Sequence, residues 1–352
     1  MGLSTHELAR RAFLRDVDAD TVVTPRSPLA PASRLIELGK GDAPYIGDAV
    51  CTIGAFDGIH RGHRFLFSRT VLDARRRGLP SVIMTFDPDP DELFLPFSKI
   101  HKLLNNEDRL AYLTNFGADF VLSVPFTRSL AANSTESFLR SVVSPVFKPR
   151  AIHVGSDFKL GAGNAGNVEE LRKLGTRRSA KCEVFGYDLV CNVSEPVTAT
   201  RVRRLLMEDG DCAAASQLLC RPHFVRGTVE KGRQKGREFG FPTANVRIDY
   251  PYVVPAEGVY AGLVLVDDLD TVWPTAVNVG VPRTFADEEG CASIEAHMLG
   301  FEGDLYGRQV SVAFVERLRG QQAFESLDDL MATVNSNIAW TAEHLGSEGF
   351  RL

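Results

Sequence analysis

Residues 52–63 read Thr-Ile-Gly-Ala-Phe-Asp-Gly-Ile-His-Arg-Gly-His, and the two imidazoles of His60 and His63 are the first chemistry the chain offers. An apolar run from Ala49 to Ile53 leads into them and breaks at Gly54, Gly58 follows, and Arg64 to Leu72 has helical composition. The spacing places both histidines where a buried strand gives way to a helix. A helix start carries unpaired backbone N–H groups and partial positive charge, which suit phosphate. Imidazoles at that point can donate to phosphate oxygens as charge builds on a departing pyrophosphate. Gly62 allows a bulky ligand close to the backbone. The plainer alternative is two histidines that merely begin a helix. A metal centre has less support, because no Cys, Glu or third His lies nearby at ligand spacing.

Other stretches offer polar groups in comparable places. The apolar run to Phe86 ends in Asp87-Pro-Asp89-Pro-Asp-Glu, read either as a rigid acidic loop or as a cover over a nucleotide. Val154 runs into Gly155-Ser-Asp157-Phe158-Lys-Leu-Gly-Ala-Gly, where the glycines suggest close approach to a ligand or a flexible turn. Thr198 and Thr200 precede Arg201, Arg203 and Arg204 at a helix start; cations there oppose the helix dipole, which makes sense beside a bound anion, the alternative being a solvated basic helix start. Further on, Gly232, Gly236, Arg237 and Gly240 lead into a Pro242-Thr243-Ala-Asn245 turn. That loop suits polyphosphate or is simply a solvated basic hairpin, and Thr243 and Asn245 offer oxygen ligands for Mg²⁺ beside phosphates. It lacks Gly-Lys-Ser/Thr and is not a P-loop. Glu295 alternates with Ile294 and Ala296, so it lies on the opposite strand face from both. Facing a barrel interior it would need work to do, such as acting as general base on a hydroxyl; facing solvent it is ordinary.

The elements that must hold these groups differ between the two halves. From 49 to about 190, apolar runs (50–53, 81–86, 120–124, 151–154) alternate with helical stretches (61–77, 105–115, 135–143, 168–174). This predicts an α/β fold with a parallel sheet and ligands at the strand carboxyl ends. Residues 207–222 read as a short helical pair broken at Gly210. Beyond 223, β-rich runs at 224–230, 258–266, 272–279, 293–299 and 310–315 predict an antiparallel barrel or sandwich, closed by a helix over about 325–345. The expected division is an extension at 1–48, an α/β domain at 49–206, a linker at 207–222 and a β domain at 223–352. In the extension, a short helix over Thr5–Arg15 turns Leu8, Ala9 and Phe13 inward, and Pro25, Pro28 and Pro31 then interrupt regular structure.

At 352 residues, 44% hydrophobic, 24% charged and net charge −5, the chain reads as globular and two-domain, with no bulk attraction to nucleic acid or anionic membrane. Six cysteines without a Cys-x-x-Cys pair, and no leader-like apolar start, point to reduced thiols in the cytoplasm. No run is long enough to span a bilayer, and His6 breaks the myristoylation pattern begun by Gly2. A homo-oligomer stays open.

Taken together, the motifs resemble those of the bifunctional prokaryotic riboflavin kinase/FMN adenylyltransferases over about 49–345. In the first half the likeness rests on Gly-Ala-Phe-Asp-Gly-Ile-His-Arg-Gly-His, Thr-Phe-Asp-Pro-Asp-Pro, Val-Gly-Ser-Asp-Phe-Lys-Leu-Gly and Val-Thr-Ala-Thr-Arg-Val-Arg. In the second it rests on Gly-Arg-Glu-Phe-Gly-Phe-Pro-Thr-Ala-Asn, Gly-Val-Tyr-Ala, Asn-Val-Gly, Ile-Glu-Ala-His and Asp-Leu-Tyr-Gly. The resemblance implies a Rossmann-like nucleotidyltransferase domain followed by a flavokinase barrel, acting on riboflavin, FMN and ATP with Mg²⁺. It implies Glu295 as the kinase base and Thr243 and Asn245 as metal ligands. It assigns His60, His63, Thr200, Arg201 and Arg203 to ATP phosphates and pyrophosphate. Gly54, Phe56, Asp57, Gly62, Thr198, Gly232, Gly236, Arg237 and Gly240 fall to ATP, and Asp157, Phe158 and Asn278 to the flavin side. The chain departs from the family at Asp89, where many relatives carry histidine, and in Gly280-Val-Pro282-Arg-Thr-Phe, where the proline is shifted by one place. A riboflavin kinase with a transferase weakened by Asp89, and a flavin-binding protein without activity, are the narrower readings.

Overall fold

Each strand that the first half of the sequence announces is buried on both faces, and a strand so enclosed belongs in a parallel sheet covered by helices. In the computed structural model, which describes residues 3–13, 33–177, 182–232, 236, 239–280 and 293–352 (side chains 98 and 293 excepted), the chain forms two compact units. One takes its described residues from Val17–Ile100 and Leu104–Thr198, the other from Met1–Asp16, His101–Leu103 and Ala199–Leu352.

The first unit is built on strands β1 (Arg34–Glu37), β2 (Gly47–Ile53), β3 (Ser81–Asp87), β4 (Phe120–Pro125), β5 (Phe147–Gly155) and β6 (Glu183–Tyr187). They lie in the order β1-β4-β3-β2-β5-β6, and every pairing is parallel. Strand order reverses direction between β2 and β5, so the crevice outside their carboxyl ends is where a ligand of such a sheet is received. The histidine stretch follows β2, and the Gly155–Asp157 turn follows β5. Helix α1 is Thr5–Phe13; helix α2 (Arg61–Arg77) covers one sheet face with Phe67, Val71 and Ala74, all buried and spaced three or four residues apart. Gly78 ends it in the left-handed conformation at φ 65°, its N–H meeting the carbonyls of Ala74 and Arg75. Strands β1 and β6 lie beyond the sequence reading; as short edge strands they carry little periodic signal of their own. Residues 135–143, read as one helix, form a short α-helical turn and then a π-helical turn.

A buried arginine ties the loops at the head of this sheet together. Arg109, on the helix Asn106–Thr114, is 2% exposed and pairs with Asp89 at 3.0 Å. Its guanidinium also donates to the carbonyls of Ala55 (2.9 Å) and Phe86 and to the Asn106 side-chain oxygen (2.7 Å). Asp89 in turn caps the helix Pro90–Phe94 by accepting from the Asp91 N–H at 3.0 Å. The 87–92 stretch is therefore a capped helix start held from below, not an open acidic loop.

The second unit carries strands β7 (His223–Glu230), β8 (Ala244–Arg247), β9 (Gly258–Val266), β10 (Thr271–Gly280), β11 (Ser293–Met298) and β12 (Gln309–Arg319). They pair antiparallel in the ring β9-β12-β7-β8-β11-β10, which closes through β9 and β10 and makes the structure a six-stranded barrel. The short strand Phe350–Arg351 adds to β10. Strand β8 replaces the turn that Pro-Thr-Ala-Asn suggested; it owes its extended form to partners on both sides. The closing helix runs Leu327–Leu345, capped by Ser326. The helix Thr5–Phe13 buries Ala9, Ala12 and Phe13 in this unit, and Phe13 meets Phe224 edge-on at 6.1 Å. The helix Cys212–Leu219, inside the stretch expected as linker, also belongs to it and buries Cys212, Ala215, Leu218 and Leu219.

Two stability predictions follow from buried groups. Arg109→Leu leaves Asp89 charged and buried, so it should cost about 3–5 kcal/mol in urea unfolding of the α/β unit; Asp89→Asn, which keeps an acceptor, should cost clearly less. His223 is fully buried, with Nε2 donating to the Val253 carbonyl at 2.6 Å, and burial pushes its pKa down to about 4. The unfolded chain then binds the extra proton below about pH 6.5. Stability from this group is complete above that value and falls with pH, by about 3 kcal/mol as pH reaches 4. His223→Phe should flatten that part of a melting-temperature profile.

Candidate active sites

In the α/β unit, the chain leaves β2 through a turn in which Phe56, Gly58 and Ile59 all have positive φ (57°, 75° and 47°). Gly54 is required by this turn: a Cβ there would lie 2.6 Å from the Phe56 ring. Phe56 is buried and packs edge-on against His63 (5.2 Å) and Phe67 (4.8 Å), so it holds the helix start from inside. Asp57 is buried and its carboxylate accepts from the Leu104 N–H at 3.2 Å, which makes it a loop anchor in this structure.

His60 is the N-cap of α2, its Nδ1 accepting from the His63 N–H at 3.4 Å. Accepting at Nδ1 leaves the His60 proton on Nε2. The two imidazoles stack with centroids 3.7 Å apart and planes within 20°. His63 reaches partial exposure, but its Nδ1 is buried without a hydrogen-bond partner. Burial first, and the adjacent His60 second, hold the His63 pKa well below the usual histidine value. Both rings are thus hydrogen-bonding groups beside a helix start, and an anion placed there would raise the lowered His63 pKa. The close approach at Gly62 is to the His60 ring and the Val197 carbonyl, which a Cβ would meet at 3.1 and 3.4 Å. Among the described residues, no cluster of three or more His, Cys, Asp and Glu could hold a metal.

At the end of β5, Asp157 is exposed and stands in the turn closed by the Phe158 N–H to Gly155 carbonyl bond of 3.1 Å. Phe158 packs against the core beneath the sheet. Thr198 is the last residue of this unit. Thr200, Arg201 and Arg203 lie on the helix Ala199–Arg204 of the other unit; Thr200 is exposed, and Arg203 donates from Nε to the His101 carbonyl at 2.7 Å.

In the barrel, register brings a row of polar side chains together. Asn245 on β8, Glu295 on β11 and Asn278 on β10 are direct cross-strand partners. Residues opposite one another share a face, with Cβ atoms about 5 Å apart. The alternate positions Val246, Ile294, Ala296, Val277 and Val279 are the buried ones, so the row lies on the face away from the barrel interior, with Glu295 half-buried. The interior placement considered from sequence does not occur. Gly232 passes so close that a Cβ would fall 2.2–2.5 Å from the Asn245 amide, and one on Gly236 would meet the Phe241 carbonyl at 2.5 Å and the Thr243 hydroxyl at 3.5 Å. Two glycine backbones thus approach the side chains of Asn245 and Thr243. Their side-chain oxygens are hard donors of the kind that fits Mg²⁺. Thr243 also lines a cavity of about 260 Å³ with Pro242, Met298, Asp304 and Tyr306. Gly240 has φ 88° and open space around it. Arg237, and the departure at 281–285, lie outside the described residues.

Three supporting groups escaped the sequence reading. Gln321 donates to the Asn278 side-chain oxygen and the Val279 carbonyl, both at 2.9 Å, so that oxygen of Asn278 is already engaged. His297, on the Glu295 face, holds the Pro242 carbonyl through Nδ1 at 2.9 Å. Arg109 is the third. His297, in the Ile-Glu-Ala-His run, carries a signal; Gln321 and Arg109 have none in their local sequence.

Comparison with known proteins matches residues 43–201 to the FAD synthetase family and 219–345 to the riboflavin kinase family. The bifunctional riboflavin kinase/FMN adenylyltransferase of Escherichia coli strain K12 is 35% identical over 309 residues, covering 86% of this chain and 95% of that one. Its counterpart from Pseudomonas fluorescens is 34% identical, covering 82% and 91%. A crystal structure described as a macrolide-efflux protein from Streptococcus pneumoniae superimposes with a TM-score of 0.76 at 28% identity, over 87% of this chain and 98% of that one. Among the described residues of this chain, no helix is long and apolar enough to cross a membrane. By sequence match over both halves and by the paired architecture of parallel sheet and six-stranded barrel, the chain belongs to the bifunctional riboflavin kinase/FMN adenylyltransferase family.

Proposed function

We propose that the barrel unit transfers the γ-phosphoryl group of ATP to riboflavin, giving FMN and ADP, and that the α/β unit joins FMN to the adenylyl group of ATP, giving FAD and pyrophosphate. The observation that carries the kinase reading is the Asn245–Glu295–Asn278 row beside Thr243. A flavin hydroxyl is a poor nucleophile until its proton is taken, and Glu295 supplies a carboxylate for that proton. As the hydroxyl oxygen bonds to the γ-phosphorus, its proton passes to Glu295 and the bond to the β-phosphate oxygen breaks. Thr243 and Asn245 would hold Mg²⁺, which when bound neutralises charge on the transferring phosphoryl group.

The second reaction needs no such base. The nucleophile is the phosphate of FMN, already ionised near neutral pH. An oxygen of that phosphate bonds to the α-phosphorus of ATP as the bond to the pyrophosphate oxygen breaks. His60, His63 and the start of α2 donate to the oxygens of the departing pyrophosphate, and Asp157 borders the flavin or nucleotide. The assignment of Thr200, Arg201 and Arg203 to the phosphates rests on sequence. The pairing of Asp89 with Arg109 favours a working transferase over a weakened one, since that negative charge is matched inside the protein. Cytoplasmic location and any homo-oligomer remain parts of this reading drawn from sequence.

A crossover experiment tests both assignments. Glu295→Gln should lower FMN formation by about a hundredfold or more and leave FMN-to-FAD conversion intact. His63→Ala should lower FAD formation by about a hundredfold and leave the kinase intact. Loss of both activities in either variant, or retention of both, would contradict the division of labour.

A further inference from the structure

On the helix-covered face of the parallel sheet lies a hydrogen-bonded chain that neither reaction uses. His153, on β5, is 3% exposed at its side chain. Its Nε2 is 3.0 Å from an Asp73 carboxylate oxygen on α2, and its Nδ1 is 2.8 Å from the Tyr187 hydroxyl on β6. A carboxylate only accepts, so the proton sits on Nε2 and the Tyr187 hydroxyl donates to Nδ1. The imidazole is stacked on the rings of Phe185 (4.8 Å, 14°) and Tyr187 (5.8 Å, 10°). Burial lowers its pKa despite Asp73, which keeps the ring neutral and suited to bridging a donor and an acceptor. The chain extends outward: Arg77 donates to Asp73 at 2.9 Å and to Glu183 at 2.7 Å. Arg69 lies 5.0 Å over the Phe65 ring and 5.9 Å over that of Tyr187.

Sheet hydrogen bonds fix β2, β5 and β6 against one another, but they say nothing about how far α2 slides or turns on the sheet. Apolar packing by Phe67, Val71 and Ala74 is tolerant of small shifts. A directional bond from β5 to Asp73 is not. Asp73 lies ten residues beyond His63 on the same helix, so its attachment sets where the helix start stands. The other end of the chain reaches the opposite wall of the crevice: the Tyr187 carbonyl accepts from the Ser156 N–H at 2.7 Å, within the turn that carries Asp157.

We propose that His153 is a positioning residue of the adenylyltransferase site, fastening α2 to β5 and β6 so that His60 and His63 are held in register with the Gly155–Asp157 turn across the crevice. The inference rests on the transferase reading above. Misplacing reacting groups by about 1 Å can cost about a hundredfold in rate while binding survives.

The test compares wild type, His153→Phe, His153→Gln and Tyr187→Phe in FMN-to-FAD conversion, with riboflavin phosphorylation followed in the same samples and kcat normalised to the folded fraction from circular dichroism melting. Phenylalanine keeps the ring stacking and deletes both bonds; glutamine restores a donor toward Asp73. His153→Phe should lower normalised kcat about ten- to a hundredfold with KM for ATP changed less than about twofold, and His153→Gln should recover most of the loss. If His153→Phe does not fold, Tyr187→Phe, which removes one oxygen, should still lower normalised kcat severalfold at unchanged KM. Normalised kcat at the wild-type value in the folded variants, or equal loss in the Gln and Phe variants of His153, would overturn the inference while the transferase reading stands. A wild-type protein that makes no FAD from FMN would overturn that reading, and this inference with it.

Discussion

A guanidinium withdrawn from water must be matched inside the protein, and Arg109 is matched by groups from separate segments of chain. Asp89, the carbonyls of Ala55 and Phe86, and Asn106 all converge on it. Ala55 belongs to the turn after β2, Phe86 to the end of β3, and Asp89 to the helix start that follows. One side chain therefore fixes the backbone around the carboxyl ends of two neighbouring strands. The turn from Gly54 to His60 runs through left-handed conformations at Phe56 and Ile59, which ordinary residues adopt at a cost of roughly 1–3 kcal/mol each. Such a turn persists only where its surroundings hold it. Arg109 on Ala55 and the Leu104 N–H on Asp57 hold it from two sides, and the stacked imidazoles stand at its exit.

On the proposed reading, the two units answer two different chemical demands. A hydroxyl nucleophile needs a proton acceptor, and the barrel supplies a half-buried carboxylate flanked by amides on both neighbouring strands. A phosphate nucleophile arrives ionised, and the sheet unit supplies donors and a helix start in place of a base. With those roles, the proposed sheet site needs no acidic counterpart of Glu295 beside His60 and His63. The contrast in roles also fits the different scaffolds. An antiparallel ladder aligns single side chains opposite one another at fixed spacing, whereas a parallel sheet opens a crevice where strand order reverses.

Much of this was legible in the residues. Gly54 and the helical pattern after Arg61 announce the strand-to-helix passage, and a continuous apolar run at 258–266 and period-two alternation at Val310, Val312 and Phe314 announce barrel strands. Alternation also separated Glu295 from Ile294 and Ala296, but which face is interior depends on closure of the ring, which no local pattern encodes. Strand β8 was hidden because Pro-Thr-Ala-Asn has turn chemistry and gains its extended form only between Glu230 and Glu295. Arg109 was hidden for a different reason: an arginine on an amphipathic helix reads as solvated, and the acidic partner that draws it inward lies twenty residues away. Asp89 consequently read as part of a rigid acidic loop or of a cover over a nucleotide. His153 carried a usable signal, since a histidine within Ala-Ile-His-Val must find partners once the strand is buried.

The central claim is that one chain makes both flavin nucleotides in succession at separate centres. Incubating the wild-type protein with riboflavin, ATP and Mg²⁺ and resolving the flavins over time by chromatography tests it directly. FMN should appear first and FAD after a lag, with two ATP consumed per FAD formed, one giving ADP and the other pyrophosphate. Accumulation of FMN without FAD, or no conversion of riboflavin at all, would contradict the account.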